Sequence, residues 1–350
     1  MSQDDSCAKV ETVCGRLPAS DLGVTMIHEH VLVDLTCYWR PEDDCTIANS
    51  PVTLLSLSAI RANAFASQDN LRLDDIGAAT EELRHYGLAG GRTIVDVTPA
   101  SIGRNVRGLQ MIAQATGVNI IAGCGYYIEA THPPLLKSLS VNELVSEFVR
   151  DLTEGIQGTE IRAGIIGELG ATSYPMPDSE RRVLQAAAVA QRGTGVAILT
   201  HTAPGTDSAF EVIEILRGAG ADTSRVVLSH LDERFRNDLQ LFKRLAESGA
   251  RFGFDTFGRE LYYKARLRQH PTDDSRIDTM CLLLENDLRD HIFLSQDICL
   301  RHELSALGGP GYHHVVRNIV PRLAARGVTA ADIDAILRDN PRRLLTPVIA

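Results

Sequence analysis

The chain has 350 residues, 44% hydrophobic and 23% charged, enough apolar content for a large core. Its formal net charge of -10 repels phosphate, which argues against nucleic acid and anionic membrane surfaces as partners. No apolar run reaches the roughly 20 residues of a spanning helix, the polar opening MSQDDSCAKV lacks a signal-peptide pattern, and seven scattered cysteines form no CxxC pair; the expectation is a cytoplasmic protein with reduced thiols.

Short apolar runs alternate with amphipathic stretches along the whole chain. In chain order the predicted strands are 24–27, 93–97, 119–122, 163–167, 196–200, 226–229, 251–254 and 292–295. All are apolar enough to be buried on both faces of a parallel sheet. Helical patterns fall at 73–86, 106–116, 141–152, 179–192, 207–218, 238–247, 274–286 and 313–326, several closed by a glycine such as Gly117, Gly193, Gly218 or Gly249. A last helical pattern covers 330–337, and Asn340-Pro341 reads as its stop.

Eight such units specify an α/β fold, either a closed (β/α)8 TIM barrel or a doubly wound sheet. No Gly-x-Gly-x-x-Gly follows the first strand, which counts against a dinucleotide fold. Two stretches are too long for ordinary connections. One is 36–70 after strand one, with Trp39 and Arg40; the other is 257–273 after strand seven, with Tyr262 and Tyr263. Segments of this length commonly cover a site. No repeat or linker divides the chain, so 1–350 is expected to be one domain.

The chemistry collects at the ends of strands. Strand one ends in His28-Glu29-His30, and residues two apart in an extended chain share a face. Alone, the pair also fits two interior histidines satisfied by hydrogen bonds. Strand four, however, ends in Glu168, strand five in His201, strand six in His230, and strand eight in Gln296-Asp297. Barrel active sites occupy this C-terminal face. Imidazoles and carboxylates converging on one point are the donor set of a late divalent metal.

These motifs resemble the phosphotriesterase branch of the amidohydrolase superfamily nearly end to end. The resemblance rests on Thr25-Met26-Ile27-His28-Glu29-His30, on Thr93 to Thr98 with Ile102-Gly103-Arg104, and on Leu199-Thr200-His201, Ser229-His230 and Asn340-Pro341. Gly167-Glu168-Leu169-Gly170, Ser229-His230-Leu231-Asp232, Phe254 to Gly258 and Gly311-Tyr312-His313-His314 bring it nearest the phosphotriesterase-related proteins, some of which cleave N-acetyltaurine. The resemblance implies a barrel, two divalent metals and a homodimer. It implies that His28, His30 and Asp297 hold the inner metal, that His201 and His230 hold the outer one, and that Glu168 bridges them where phosphotriesterase proper carries a carboxylated lysine.

With that set, a water activated between the metals attacks the substrate and Asp297 is the proton acceptor. Zinc is the expected metal, with manganese, cobalt and iron compatible. Phosphotriesterase proper carries histidines just beyond strand seven, whereas this chain reads Asp255-Thr256-Phe257-Gly258-Arg259-Glu260. The expectation is therefore hydrolysis of an amide, ester or lactone of a small molecule. Phosphotriester or phosphoester hydrolysis is the alternative, and a non-catalytic binding protein the third reading. Substrate contacts are expected from Tyr127, by analogy with lactonase relatives, and from Arg301, whose guanidinium could pair with an anionic group. Tyr126, Arg259, Tyr262 and Tyr263 are weaker candidates for the same role. Asp232 reads either as a carboxylate orienting His230 or as a solvated loop residue, and Asp96 either as a neighbour of the metals or as structural. His85, His132, His270, His291, His302, His313 and His314 read as structural.

Overall fold

The computed structural model describes residues 8–203, 208–234 and 237–348. Eight parallel strands run in sequence order around the sheet: β1 (Thr25–Glu29), β2 (Thr93–Asp96), β3 (Asn119–Cys124), β4 (Ile165–Ala171), β5 (Ile198–Thr202), β6 (Val226–Leu228), β7 (Arg251–Phe254) and β8 (Ile292–Leu294). Helices follow them on the outside: α1 (Ile76–Leu88), α2 (Val106–Thr116), α3 (Val141–Thr153), α4 (Asp178–Thr194), α5 (Ser208–Gly218), α6 (Leu239–Glu247), α7 (Asp273–Leu284) and α8 (Val320–Ala325). This is the (β/α)8 barrel, and every predicted strand is present within a few residues.

Inward side chains from successive strands fill the barrel: Ile27, Val95, Ile121, Ile165, Leu199, Val227 and Phe293 form one buried cluster. An N-terminal hairpin, Lys9–Thr12 and Gly15–Pro18, brings Val10 to the same cluster and closes that end. Burial of this apolar surface stabilises the barrel, so the opposite rim can carry polar groups.

Two irregularities lie where the chemistry is. The β1–β2 register shifts between Met26 and Glu29, and the β4–β5 register shifts between Ile166 and Leu169. A bulge breaks strict alternation and re-aims side chains. Here it turns His28 and Glu168 toward the barrel mouth.

The sheet is joined between β8 and β1 by side chains. The Ser295 hydroxyl accepts from the His28 amide at 3.0 Å and donates to Glu29 at 2.7 Å. The Glu29 carboxylate also accepts the Gln296 and Ile298 amides, both at 2.8 Å. Glu29, the middle residue of the histidine motif, therefore fastens the seam. Burial raises its carboxyl to about 8 despite these donors.

Asn340-Pro341 does not stop the last helix. The chain passes through a wide turn, Ala335–Asp339, and continues as the helix Asn340–Leu345. Pro341 is accommodated directly after that wide turn. The Asn340 side-chain Nδ2 donates to Arg289 O and Ile292 O, fixing this helix beneath β8. The six described cysteines are unpaired, and Cys7 lies outside the described residues. Among the described residues no helix is long and apolar enough to cross a membrane.

Candidate metal centre

Glu168 stands among four imidazoles. Its Oε1 lies 2.8 Å from His201 Nδ1, and 3.4 Å from both His28 Nε2 and His230 Nε2; its Oε2 lies 3.5 Å from His30 Nε2. Asp297 Oδ1 is 3.7 Å from His28 Nε2 and 3.5 Å from His30 Nε2. Two overlapping triads, His28–Glu168–His230 and His28–His30–Asp297, bring their donor atoms within 4.8 Å of one another. All six residues picked from the strand ends thus meet at one point.

Three of the four imidazoles are oriented from behind. His28 Nδ1 lies 2.9 Å from Asp255 Oδ2 and 3.1 Å from Ser229 Oγ. His230 Nδ1 lies 2.9 Å from Asp255 Oδ1, which also accepts the His230 amide at 2.8 Å. One carboxylate, at the end of β7, thereby fixes two rings and turns both Nε2 atoms inward. It fits because position 253 is glycine: a Cβ there would sit 2.6 Å from Asp255 Oδ2 and 2.9 Å from the Ser229 backbone. His30 Nδ1 meets Thr98 Oγ1 at 2.9 Å. His230 and Asp297 both adopt left-handed backbone, φ 61° and 53°. That is a costly conformation for residues with a Cβ, of the kind that clusters at functional sites.

The cluster is acidic in its demand for positive charge. Burial opposes protonation of His28, but Glu168 and Asp255 outweigh it and hold the imidazole well above its usual range. The same contest raises His230 to about 10. Burial would raise Glu168, yet His201 and His28 hold it well below the carboxylate range. His28 Nε2 is a buried nitrogen with no hydrogen-bond partner. An unpartnered buried donor atom facing two carboxylates is costly unless something else occupies the space between them. The donor set fits a pair of divalent ions.

A cavity of about 320 Å³ opens over the cluster. Its wall includes Leu35, Tyr38 and Phe65 from the long segment after β1, and Tyr263 from the hairpin after β7. Tyr127 lies in it, its hydroxyl 2.8 Å from the Tyr38 hydroxyl and 3.3 Å from His201 Nδ1. Tyr126 turns away to Glu147 at 2.7 Å, and Tyr262 is exposed. Arg301 does not reach the cavity. Its guanidinium is held by Asp74 at 3.1 Å and the Asp69 carbonyl at 3.1 Å, so it fastens the long segment to the loop after β8. Arg259 does reach it: Nη1 donates to Asp297 Oδ2 and Nε to Glu303, both at 2.9 Å. It thus occupies the Asp297 oxygen that faces away from the imidazoles.

Asp232 does not orient His230, nor is it solvated. It is buried in an ion pair with Arg276 at 2.8 Å and accepts from Thr256 Oγ1 at 2.6 Å. Asp96 is structural, accepting the Val31 and Thr98 amides. Sequence reading missed Asp255, although an acidic residue directly after the apolar 251–254 is the same signal that found Glu168. It also missed Glu29 and His270. His270 lies in the cavity wall, with Nδ1 2.8 Å from Glu233 Oε1, and its position on a loop gave no pattern to read.

The Phosphotriesterase family profile matches residues 8–345. The chain belongs to the phosphotriesterase family. By that membership it is a metal-dependent hydrolase. A phosphotriesterase-related protein of Nematostella vectensis is 41% identical over 96% of this chain and 98% of its own length. The N-acetyltaurine hydrolase of Xenopus tropicalis is 37% identical over 97% and 98%. A resiniferatoxin-binding protein from Rhodobacter sphaeroides superposes with a TM-score of 0.93 at 32% identity, covering 98% of both chains.

Proposed function

We propose that this enzyme hydrolyses an amide, ester or lactone bond of a small molecule with a binuclear metal site. The observation that carries the reading is Glu168 between two sets of imidazoles, with Asp297 opposite. His28, His30 and Asp297 would hold the inner ion, His201 and His230 the outer one, and Glu168 both. When bound, the ions lower the pKa of a shared water and polarise the scissile carbonyl.

The chain's own groups do the rest. Asp297 turns Oδ1 toward the imidazoles while Arg259 holds Oδ2, and the carboxylate so oriented takes up the proton of the attacking water and hands it to the leaving group. The Tyr127 hydroxyl donates to the oxygen on which charge develops. The aromatic wall of Tyr38, Phe65 and Tyr263 receives the apolar part of the substrate and excludes water. Arg259 on Asp297, where phosphotriesterase proper has its histidine relay, favours a carbonyl centre over a phosphoryl one. So does the near full-length similarity to an N-acetyltaurine hydrolase. Four imidazoles favour zinc. A cytoplasmic homodimer completes the proposal, and sedimentation of the purified protein tests its dimeric part.

The test is hydrolysis by metal-loaded protein of N-acyl amino acids, N-acyltaurines, lactones, aryl esters and phosphotriesters, beside Glu168→Ala. Turnover of the carbonyl compounds, reduced at least about a thousandfold in the variant, is expected for loss of a shared metal ligand. Turnover of phosphotriesters alone would establish the alternative electrophile. Tight binding of both ions with no turnover of any class would leave a binding protein. Full activity in Glu168→Ala would remove the bridge.

A further inference from the structure

The larger of two neighbouring cavities lies outside the metal centre. A cleft of about 600 Å³ runs behind the loop after β7, between the loop after β8, the helix Leu57–Ala62 and the start of the last barrel helix. Arg259 lines both spaces and pairs with Glu303 on the cleft side and with Asp297 on the other, so this one side chain stands between the cleft and the Asp297 carboxylate. The Gly308-Gly309-Pro310 turn forms part of its wall.

The acids in the cleft are already engaged. Glu303 is held by Arg259 and the Cys299 and Leu300 amides. Asp273 is held by Arg276, His314 and the Gly258 amide, and Glu260 accepts the Asp273 amide. Two guanidinium groups are not matched by any carboxylate. Arg61 donates only to the carbonyls of Leu307 and Gly308, and the Arg317 side chain has no partner among the described residues.

Beside each unmatched arginine stands a buried histidine with an unpartnered nitrogen: His302 Nε2, with His302 only 2% exposed, and His313 Nδ1. His302 Nδ1 faces the Asn70 side-chain oxygen at 3.0 Å, and that oxygen also accepts the His302 amide. Nδ1 is therefore the protonated nitrogen and Nε2 an acceptor. Burial holds both imidazoles below their ordinary range, with Arg61 acting on His302 and Arg317 on His313 in the same direction.

We propose that this cleft is a second ligand site, separate from the metal centre, for a small hydroxylated anion. Arg61 and Arg317 hold its carboxylate or phosphate group, and His302 Nε2 accepts from its hydroxyl. A guanidinium fork matches either acid group, and a neutral imidazole acceptor requires a donor on the ligand. The site does not depend on which bond the enzyme cleaves.

Calorimetric titration of the metal-loaded protein with glycerol 3-phosphate and with glycerate tests it and separates the phosphate from the carboxylate. Binding of at least one is expected, weakened about tenfold or more in Arg317→Gln, as for loss of a charged hydrogen bond. Among the described residues the Arg317 side chain makes no hydrogen bond or ion pair whose loss would unfold the protein. Inorganic phosphate, lacking hydroxyls, is expected to bind at least about tenfold more weakly than glycerol 3-phosphate. Equal affinity in wild type and Arg317→Gln would place the anion on the metals and overturn the site, as would absence of binding by either compound. Equal affinity for inorganic phosphate and glycerol 3-phosphate would overturn the role of His302.

Discussion

His28 and His201 both end apolar barrel strands, yet they live in different surroundings. His28 is sealed, its Nδ1 between Asp255 and Ser229 and its amide on Ser295, so three strands besides its own hold it. The side chain of His201 is 19% exposed and its neighbours include Tyr127, which itself leans on Tyr38 from the long segment. The inner half of the centre is built by the barrel. The outer half is completed by segments that the barrel does not need. The inner half is therefore fixed by the barrel itself, whereas the outer half changes with the segments that cover it.

The largest effect expected from breaking this division is at Asp255. Asp255→Asn removes the charge that fixes both His28 and His230, and one orienting carboxylate is typically worth ten- to a hundredfold. Serving two ligands, its loss is expected to lower kcat/KM on the order of a thousandfold and to reduce bound metal, read by metal analysis of the purified variant. Full metal content with full activity would mean that the rings are held by the ions alone.

His302, which ties the long segment to the loop after β8 through Asn70, sharpens the comparison on the stability side. Burial, aided by Arg259 and Arg61 and opposed by Glu303, lowers its imidazole to about 4 from an ordinary 6.5. The unfolded chain binds this proton below pH 6.5 and the folded one only below about 4. Stability therefore falls on acidification through that window, by up to about 3 kcal/mol. His302→Gln is expected to flatten this limb in urea unfolding compared at pH 7 and 4.5. Parallel curves for the two proteins would show that His302 takes up its proton without cost.

A smaller effect is expected at the outer wall. Phe65→Ala opens the aromatic side of the cavity, where Phe65 packs 5.4 Å from Tyr263 and 5.9 Å from Tyr38. KM is expected to rise about tenfold with kcat within about threefold, because ground-state burial is lost and the reacting groups stay. A fall in kcat with unchanged KM would move Phe65 to the chemical half.

The smallest belongs to Arg301. Arg301→Ala removes a partly exposed pairing with Asp69 and Asp74, worth at most about 1 kcal/mol, and kcat/KM is expected to stay within about threefold. A large loss for anionic substrates alone would restore the arginine to substrate recognition.

The same division governs what could be read from the sequence. The barrel and the residues at its strand ends were legible because local period and position coincide: an apolar run sets the direction, and the next polar residue falls on the rim. Asp255 obeys the same rule, but a lone acid after a strand is common, and only its place between His28 and His230 marks it out. Arg301 and His270 could not be placed, because loops have no period. Arg301 lies four residues beyond Asp297 yet points outward to Asp74, whereas His270, in a stretch without motif, points in to Glu233. Glu29 was legible as a motif member but not as a fastener, since its partners lie more than 260 residues away.

That distance has a consequence for how the molecule comes into being. The seam at Glu29 joins the first barrel strand to the last, so His28 acquires its final amide partner only when Ser295 arrives. During synthesis the partners of the first strand's His28, Glu29 and His30 at Ser295 and Asp297 are present only once nearly the whole chain has emerged. A truncated chain that lacks β8 has neither a closed barrel nor the carboxylate of Asp297 with which to mimic the finished enzyme.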